Sequence, residues 1–336
     1  MCIRDRQLAE DGYFTDFISN GVSTELCFVA FCAFTLIIIF AGVQNGIERV
    51  SKIMMPILIV LSVIIAVYSV TRPGALAGVK YFLVPNVKNF SWMTVVSAMG
   101  QMFYSLSIAM GILITFGSYM KKDTAIEDST RNVEIFDTGI AIMAGLMIIP
   151  AVFAFSGGDP DTLQAGPSLM FITIPKVFQN MGFGTVIGIV FFLLVLFAAV
   201  TSSIALTESA VSTFEDELGW GRKKATVLVG VIMLALGSLS SLGYGPLAGI
   251  KIIGMQFLDL FDFLTNSVMM PIAALLTSLF VSRVVGIDKI EEEIIHGESA
   301  FRRKKVFVVM IKYLCPVFAI IILLSSVANA LGWIKM

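Results

Sequence analysis

The segment from Trp92 to Met120 is long and apolar enough to cross a membrane, but small and polar residues interrupt its centre. Ser105 and Ser107 lie near the middle, between two glycines, in the sequence G-Q-M-F-Y-S-L-S-I-A-M-G. An unpartnered backbone group in hydrocarbon is costly, so non-helical backbone at membrane depth survives only beside a cavity or inside protein. We therefore expect a spanning helix that breaks at its midpoint, which is a typical way to hold an ion and a small polar substrate.

The composition indicates an all-α integral membrane protein. Apolar residues make up 57% of the 336 residues and charged residues 14%, against roughly 25% charged residues in soluble domains. The net charge of −1 gives no indication of a nucleic-acid partner. The four cysteines have neither metal-binding nor redox spacing. The expected surroundings are a lipid bilayer, and the expected partner is a small molecule.

Eight segments meet the requirement of about 20 mostly apolar residues for a membrane-spanning helix. They are approximately 26–43, 53–71, 92–120, 135–156, 184–212, 224–243, 258–284 and 306–331. Residues 7–25 are expected to form an extracellular segment. The first six residues do not fit the rest of the chain, and we interpret them as an artefact, with an ordinary short N-terminus as the alternative.

The distribution of lysine and arginine predicts the orientation. Fourteen of these residues fall on one side of the predicted spans and six on the other, when Arg4 and Arg6 are set aside. The basic loops are therefore expected in the cytoplasm and both termini outside. An external start without a signal peptide predicts that an odd number of spans has been lost before this chain.

A second apolar segment, residues 167–179, is too short to span a membrane. It lies in a long external loop. It predicts either a re-entrant or lid element or a helix that lies on the membrane surface, and the sequence leaves both open.

Two groups of polar residues within the spans are candidate binding sites. The first comprises Gln101, Tyr104, Ser105 and Ser107, whose hydroxyls and freed carbonyls suit a sodium ion or a substrate ammonium. The alternative is that the two serines bond to the preceding turn and only bend the helix.

The second group comprises Ala198, Thr201 and Ser202. A carbonyl at one position and hydroxyls three and four residues later share a helix face, which suits a monovalent cation. The alternative is close packing of helices through small residues.

Acidic residues form a third group. Asp137 and Glu208 are candidates for ion ligands or proton carriers, and Asp262 is a candidate gate or an interfacial charge that reaches water. The acidic run after the fifth span, Phe214–Lys224, is by itself most simply a solvated loop.

Taken in order, several motifs resemble the bacterial neurotransmitter:sodium symporters. The motifs are G-Q-M-F-Y-S-L-S-I-A-M-G at 100–111, T-S-S-I-A-L at 201–206, F-E-D-E-L at 214–218, I-E-R-V-S-K-I-M-M-P at 47–56 and A-G-L-M-I-I-P at 144–150. The resemblance implies a LeuT-type inverted-repeat transporter fold. The eight spans then match the family's fourth to eleventh helices, and the first three are missing.

The resemblance also implies a role for each candidate residue. Sodium ligands are expected at Ser105, Asp137, Ala198, Thr201 and Ser202. Substrate contacts are expected at Tyr104, Ser105, Ser107, Met110, Ser202 and Leu206. Asp262 and Phe263 match an outer gate, and Asp216 and Tyr119 match an inner gate, so the resemblance favours a role for the acidic run that its position alone does not suggest.

The function implied is sodium-coupled symport of an amino acid across the cytoplasmic membrane of a bacterium by alternating access. Met110 favours a hydrophobic or aromatic amino acid, and the Asp137 carboxylate favours independence of chloride. Because the family's first helix supplies half of each site, this chain alone is expected to be inactive. The alternatives are a proton-coupled carrier and an intramembrane hydrolase, which would need a base beside its serine.

Overall fold

The computed structural model describes residues 11–87, 90–157, 166–179, 183–298 and 300–330. The artefact predicted at residues 1–6 lies outside these ranges. The helices that position the site are numbered in chain order: α1 Asp11–Ser19, α2 Gly21–Phe40, α3 Val43–Val70, α4 Ala75–Leu83, α5 Trp92–Ser105, α6 Ile112–Ser118, α7 Ile126–Ser156, α8 Leu169–Gln179, α9 Gly184–Leu218, α10 Arg222–Leu242, α11 Phe257–Val285, α12 Ile287–Gly297 and α13 Lys304–Asn329.

Among the described residues, seven helices are long and apolar enough to cross a membrane, namely α2, α3, α7, α9, α10, α11 and α13. The eighth predicted span, residues 92–120, is the interrupted one. Its two helical pieces contain 14 and 7 residues, and each is shorter than a bilayer requires.

Four helices extend beyond the predicted spans by about a helical turn or more, and one of them, α3, begins at Val43, ten residues before its predicted span. Helix α2 begins at Gly21 because the Asn20 side chain caps it by accepting a hydrogen bond from the Ser23 N–H, and α1 occupies much of the segment before it. Helix α7 begins at Ile126, nine residues before the predicted span. Helix α9 continues to Leu218, so the acidic residues 214–218 are helical and not part of a loop. Hydropathy identifies only the part of a helix that lies in the hydrocarbon. Each of these helices continues beyond that part with polar residues.

The chain divides into two compact units. The first comprises the described residues of Met1–Val87, Thr138–Thr207 and Trp220–Ile250, and the second those of Lys88–Asp137, Glu208–Gly219 and Lys251–Met336. The boundaries fall inside α7 and α9, so each of these helices contributes to both units.

In the first unit, α2 packs closely along α10. Gly237 faces the Phe28 ring so closely that a Cβ at Gly237 would lie 2.1 Å from the ring carbon Cζ. At one end of the pair Ser238 donates a 2.6 Å hydrogen bond to Glu25, and at the other the Arg222 Nε donates to the Ile39 carbonyl. The missing side chain at position 237 is what allows this contact, as is common between membrane helices.

The core of the first unit includes the short helix α8. Its residues Ile174, Val177 and Phe178 are buried and cluster with Ile65 and Phe191. One face of α8 therefore packs into the protein core, while residues 167–173 are exposed or half-buried. The part of the predicted external loop at 158–165 and 180–182 lies outside the described residues.

In the second unit, α11 and α13 pack together and α5 packs on α13. The buried side chains of Phe103, Met270 and Ile322 meet at the centre. At one end of the unit, Glu298 accepts hydrogen bonds from the backbone N–H groups of Glu127 and Asp128 at 2.6 and 3.4 Å. Glu298 thereby caps the start of α7, which carries Asp137.

Candidate functional site

The predicted interruption is present between α5 and α6. Helix α5 ends at Ser105 and α6 begins at Ile112. Between them Ser107 and Ala109 have φ angles of 54° and 63°, and Gly111 has φ of 77°. A left-handed conformation costs a residue with a Cβ about 1–2 kcal/mol, and strain of this kind is concentrated at functional sites.

The turn between the two pieces leaves backbone oxygen atoms uncommitted. Within the described part of the chain, the carbonyl groups of Leu106, Ser107 and Ile108 receive no backbone hydrogen bond. The interruption therefore presents carbonyl oxygens at the depth where the α5 helix ends. A cation lacking its hydration shell requires oxygen ligands of this kind.

The side chain of Ser105 contacts Asp137 directly. The Ser105 Oγ donates a hydrogen bond to the Asp137 Oδ1 at 2.6 Å, across 32 residues of sequence. No residue near Asp137 in the sequence indicates this partner, and the structure places a hydroxyl and a carboxylate together beside the carbonyls of the interruption. The pair supplies one anionic oxygen and one hydroxyl oxygen, and Ser105 is exposed while Asp137 is half-buried.

Two successive residues of α9 contact the two ends of α6. Ser209 Oγ lies 3.4 Å from the Met110 carbonyl oxygen, to which it donates, and a Cβ built on Gly111 would lie 2.7 Å from the same Oγ. Tyr119, at the other end of α6, donates from its hydroxyl to Glu208 Oε1 at 2.7 Å. Only a glycine at position 111 accommodates both the left-handed backbone and this close approach.

Glu208 is fully buried, with 0% exposure. From the sequence its role stays open, and the inner gate is expected at Asp216 and Tyr119. In the structure Asp216 is exposed on the last turns of α9, and the hydroxyl of Tyr119 bonds to Glu208 instead. A carboxylate in an apolar helix indicates that a partner lies nearby. No sequence pattern indicates that this partner is Tyr119, 89 residues away.

The predicted outer gate has a further neighbour, Asn266, that the motifs do not include. Asn266 Nδ2 donates to Asp262 Oδ1 at 2.5 Å, one helical turn along α11. Asn266 also lines a cavity of about 240 Å³ in the second unit. Its other lining residues are Gly100, Gln101, Phe103, Tyr104, Ser267, Met270, Pro271, Ile322 and Ser326. Gln101 and Tyr104 of the first polar group thus face one cavity, whereas Phe263 does not line it.

The second polar group lies in the first unit, on α9. The Thr201 hydroxyl donates to the carbonyls of Phe197 and Ala198 at 3.1 and 3.0 Å. Ala198 O and Thr201 Oγ1 are therefore adjacent oxygens on one helix face, as the spacing predicted. Ser202 and Leu206 are exposed in the structure.

The structure has apolar spanning helices and one helix that is broken beside a hydroxyl and a carboxylate. These features define a class, the multi-spanning secondary transporters with discontinuous helices. Residues 16–333 match the model of the sodium:neurotransmitter symporter family. The chain belongs to this family, which consists of sodium-coupled transporters and not of enzymes.

Relatives support the same conclusion. The chain is 34% identical over 315 residues to the uncharacterised sodium-dependent transporter YhdH of Bacillus subtilis, covering 94% of this chain and 69% of the relative. It is 31% identical to an uncharacterised sodium-dependent transporter of Haemophilus influenzae, covering 86% of this chain and 62% of the relative. The match to one from Methanocaldococcus jannaschii is 30% identical and covers 77% of this chain and 52% of the relative.

A solved structure shares the fold. The crystal structure of MhsT in complex with L-phenylalanine has a TM-score of 0.82 and 34% sequence identity, covering 95% of this chain and 73% of that chain. The LeuT-type fold that the sequence motifs implied is confirmed by this match. The chain spans between about half and about three quarters of the length of these proteins.

Proposed function

We propose that this chain belongs to a symporter that couples sodium entry to amino-acid uptake across the cytoplasmic membrane of a bacterium by alternating access. The hydrogen bond between Ser105 and Asp137 at the interrupted helix is the observation on which the proposal depends. It places a hydroxyl and a carboxylate beside uncommitted carbonyls, the oxygen ligands that a sodium ion takes in discontinuous helices.

The proposed first sodium site is Ser105 with Asp137. Asp137 is half-buried and its bond with Ser105 is exposed. A sodium ion beside this pair would neutralise the Asp137 carboxylate and take both side-chain oxygens as ligands. Because Asp137 brings its own negative charge, transport should not require chloride.

The proposed second sodium site is on α9 and uses the Ala198 carbonyl with the hydroxyls of Thr201 and Ser202. The adjacent oxygens of Ala198 and Thr201 support it. The family resemblance supports the addition of Ser202.

The proposed substrate contacts on the interrupted helix are Tyr104, Ser105, Ser107 and Met110. Ser107 carries the left-handed strain, and Met110 is held through its carbonyl by Ser209. A flexible thioether accommodates apolar side chains of different shapes, so a hydrophobic or aromatic amino acid is the proposed substrate. The bound L-phenylalanine of MhsT is in keeping with this choice. Ser202 and Leu206 are proposed as further contacts on the family resemblance alone.

The proposed gates are Asp262 with Phe263 on the outer side and Tyr119 with Asp216 on the inner side. The hydrogen bonds from Asn266 to Asp262 and from Tyr119 to Glu208 support roles for Asp262 and Tyr119. They also add Asn266 and Glu208 to the residues that position the gates.

Uptake by proteoliposomes that contain the full symporter to which this chain belongs tests the proposal. An inward sodium gradient should drive accumulation of radiolabelled phenylalanine or leucine, and unlabelled hydrophobic amino acids should compete better than lysine or glutamate. Replacement of chloride by gluconate should leave the rate unchanged. Accumulation driven by a pH gradient in sodium-free buffer would instead show a proton-coupled carrier that uses Asp137 or Glu208.

A further inference from the structure

The basic residues at the start of α13 fall into two groups. Arg303 is paired with carboxylates, through its Nη1 to Glu134 at 3.0 Å and its Nε to Glu127 at 3.8 Å. Lys304 pairs with Glu291. These two cations are neutralised within the second unit and serve to hold α7, α12 and α13 together.

The side chains of three other cations of this region have no carboxylate partner within the described part of the chain, although the Arg302 backbone N–H donates to Glu127 Oε2 at 2.9 Å. They are Arg302, Lys305 and Lys312, and all three are exposed. Lys305 and Lys312 are seven residues apart, so they lie on nearly the same face of an α-helix. Lys312 lies within the apolar span itself, in a π-helical turn, Met310–Leu314, a feature frequent at functional sites.

The face that carries these lysines is otherwise apolar, and no helix of the described residues covers it. Val306 is 63% exposed, Tyr313 65% and Val317 51%. On a membrane-spanning helix such a face contacts lipid. Tyr313 adds an amphipathic ring of the kind that is enriched where membrane meets water.

The position of Lys312 along α13 determines whether its ammonium lies in hydrocarbon or among the headgroups. It lies eight residues after the first residue of α13, or about 12 Å along the axis. A lysine in hydrocarbon is costly unless its ammonium reaches the interface. Helical side chains tilt toward the N-terminus, so the Lys312 ammonium is directed back toward Lys305 and the headgroup region.

We propose that Lys305 and Lys312, assisted by Arg302, bind the phosphate of an anionic phospholipid, whose acyl chain lies along Val306, Tyr313 and Val317. Two neighbouring ammonium groups on a lipid-facing helix complement a headgroup with net negative charge. Glu127 and Glu134 are paired with Arg303, and Glu291 with Lys304, so these three carboxylates do not compete. By the orientation of the basic loops, the lipid belongs to the cytoplasmic leaflet.

Native mass spectrometry of the purified full chain tests this inference. Phosphatidylglycerol and phosphatidylcholine with the same acyl chains are added in turn, and the fraction of protein that retains each lipid is compared. We expect phosphatidylglycerol to be retained several-fold better. Each of K305Q and K312Q should lower its retention by about fivefold, as expected from the contribution of one basic residue near an anionic surface, and K312R should restore it.

The matched control is K121Q combined with K122Q, which removes two exposed lysines from another basic loop. It should leave retention unchanged. Equal retention of the two lipids by the unmodified chain, or undiminished retention in the K305Q/K312Q double variant, would overturn the proposal and show that these lysines only reach water. The sodium dependence of uptake is measured separately. Failure of the lipid-retention test would therefore not refute the proposed transport function.

Discussion

The interrupted helix and α9 are both apolar and both carry hydroxyls in mid-span, yet one breaks and the other continues for 35 residues. In α9 two mid-span threonines bond to the preceding turn of their own helix: Thr201 donates to Phe197 O and Thr207 to Ser203 O. In the interrupted helix Ser105 donates to Asp137 on another helix. The difference shows that hydroxyls alone do not break a membrane helix.

What distinguishes the interrupted helix is its backbone. The left-handed φ angles at Ser107, Ala109 and Gly111 interrupt the helix, and Ser209 approaches where a glycine leaves room. We therefore expect mutations to have large effects where a partner lies on another helix and small effects where it lies one turn back.

The largest effect is expected at Asp137. Asp137→Ala removes the charge that a cation would neutralise, and loss of an interaction with a charged group of about 1.5–3 kcal/mol should raise the half-saturating sodium concentration for uptake by about 10- to 100-fold. Uptake measured over a series of sodium concentrations checks this. Asp128→Asn, in the first turn of the same helix and paired with Arg131 at 3.5 Å, serves as the control and should leave the sodium dependence unchanged.

A smaller effect is expected on stability at Gly111. Gly111→Ala forces a Cβ to within 2.7 Å of Ser209 Oγ at a φ of 77°, which should destabilise the fold by about 1–2 kcal/mol. Thermal unfolding in detergent measures the loss. Gly100→Ala is the matched control, since nothing lies within 4 Å of a Cβ there and alanine favours the helix. Equal melting temperatures for the two variants would contradict the close approach.

The next effect is expected at the proposed second sodium site. Thr201→Val or Ser202→Ala each removes one neutral ligand, worth about 0.5–1.5 kcal/mol. The half-saturating sodium concentration should therefore rise by about 3- to 10-fold. Uptake at low sodium that equals that of the unmodified protein would refute the assignment of these hydroxyls.

The smallest effect is expected at Thr207. Its hydroxyl donates to Ser203 O, one turn back, and no role in a sodium site is proposed for it. Thr207→Val should leave sodium dependence unchanged and alter stability by less than about 1 kcal/mol. A change in sodium dependence as large as that of Thr201→Val would remove the distinction between the two hydroxyls.

The sequence was sufficient to predict the interruption, because Ser105, Ser107 and Gly111 disturb an otherwise uniform apolar span. The contact between Ser105 and Asp137 could be expected only from the family resemblance, since helix packing joins residues 32 apart without any periodic signal. The partnership of Glu208 with Tyr119 and the extension of α9 to Leu218 were not predicted. Both depend on the surroundings of a residue in the fold, which hydropathy does not record.

Equilibrium binding of radioactive sodium to the purified full symporter tests the central claim, that Ser105 and Asp137 form one sodium site. Ser105→Ala, Asp137→Ala and the double variant would be compared in buffers where potassium replaces sodium. We expect saturable binding that each single variant weakens, with the double variant no weaker than Asp137→Ala because the two residues act on one ion. Sodium binding that is unchanged by Asp137→Ala would contradict this claim.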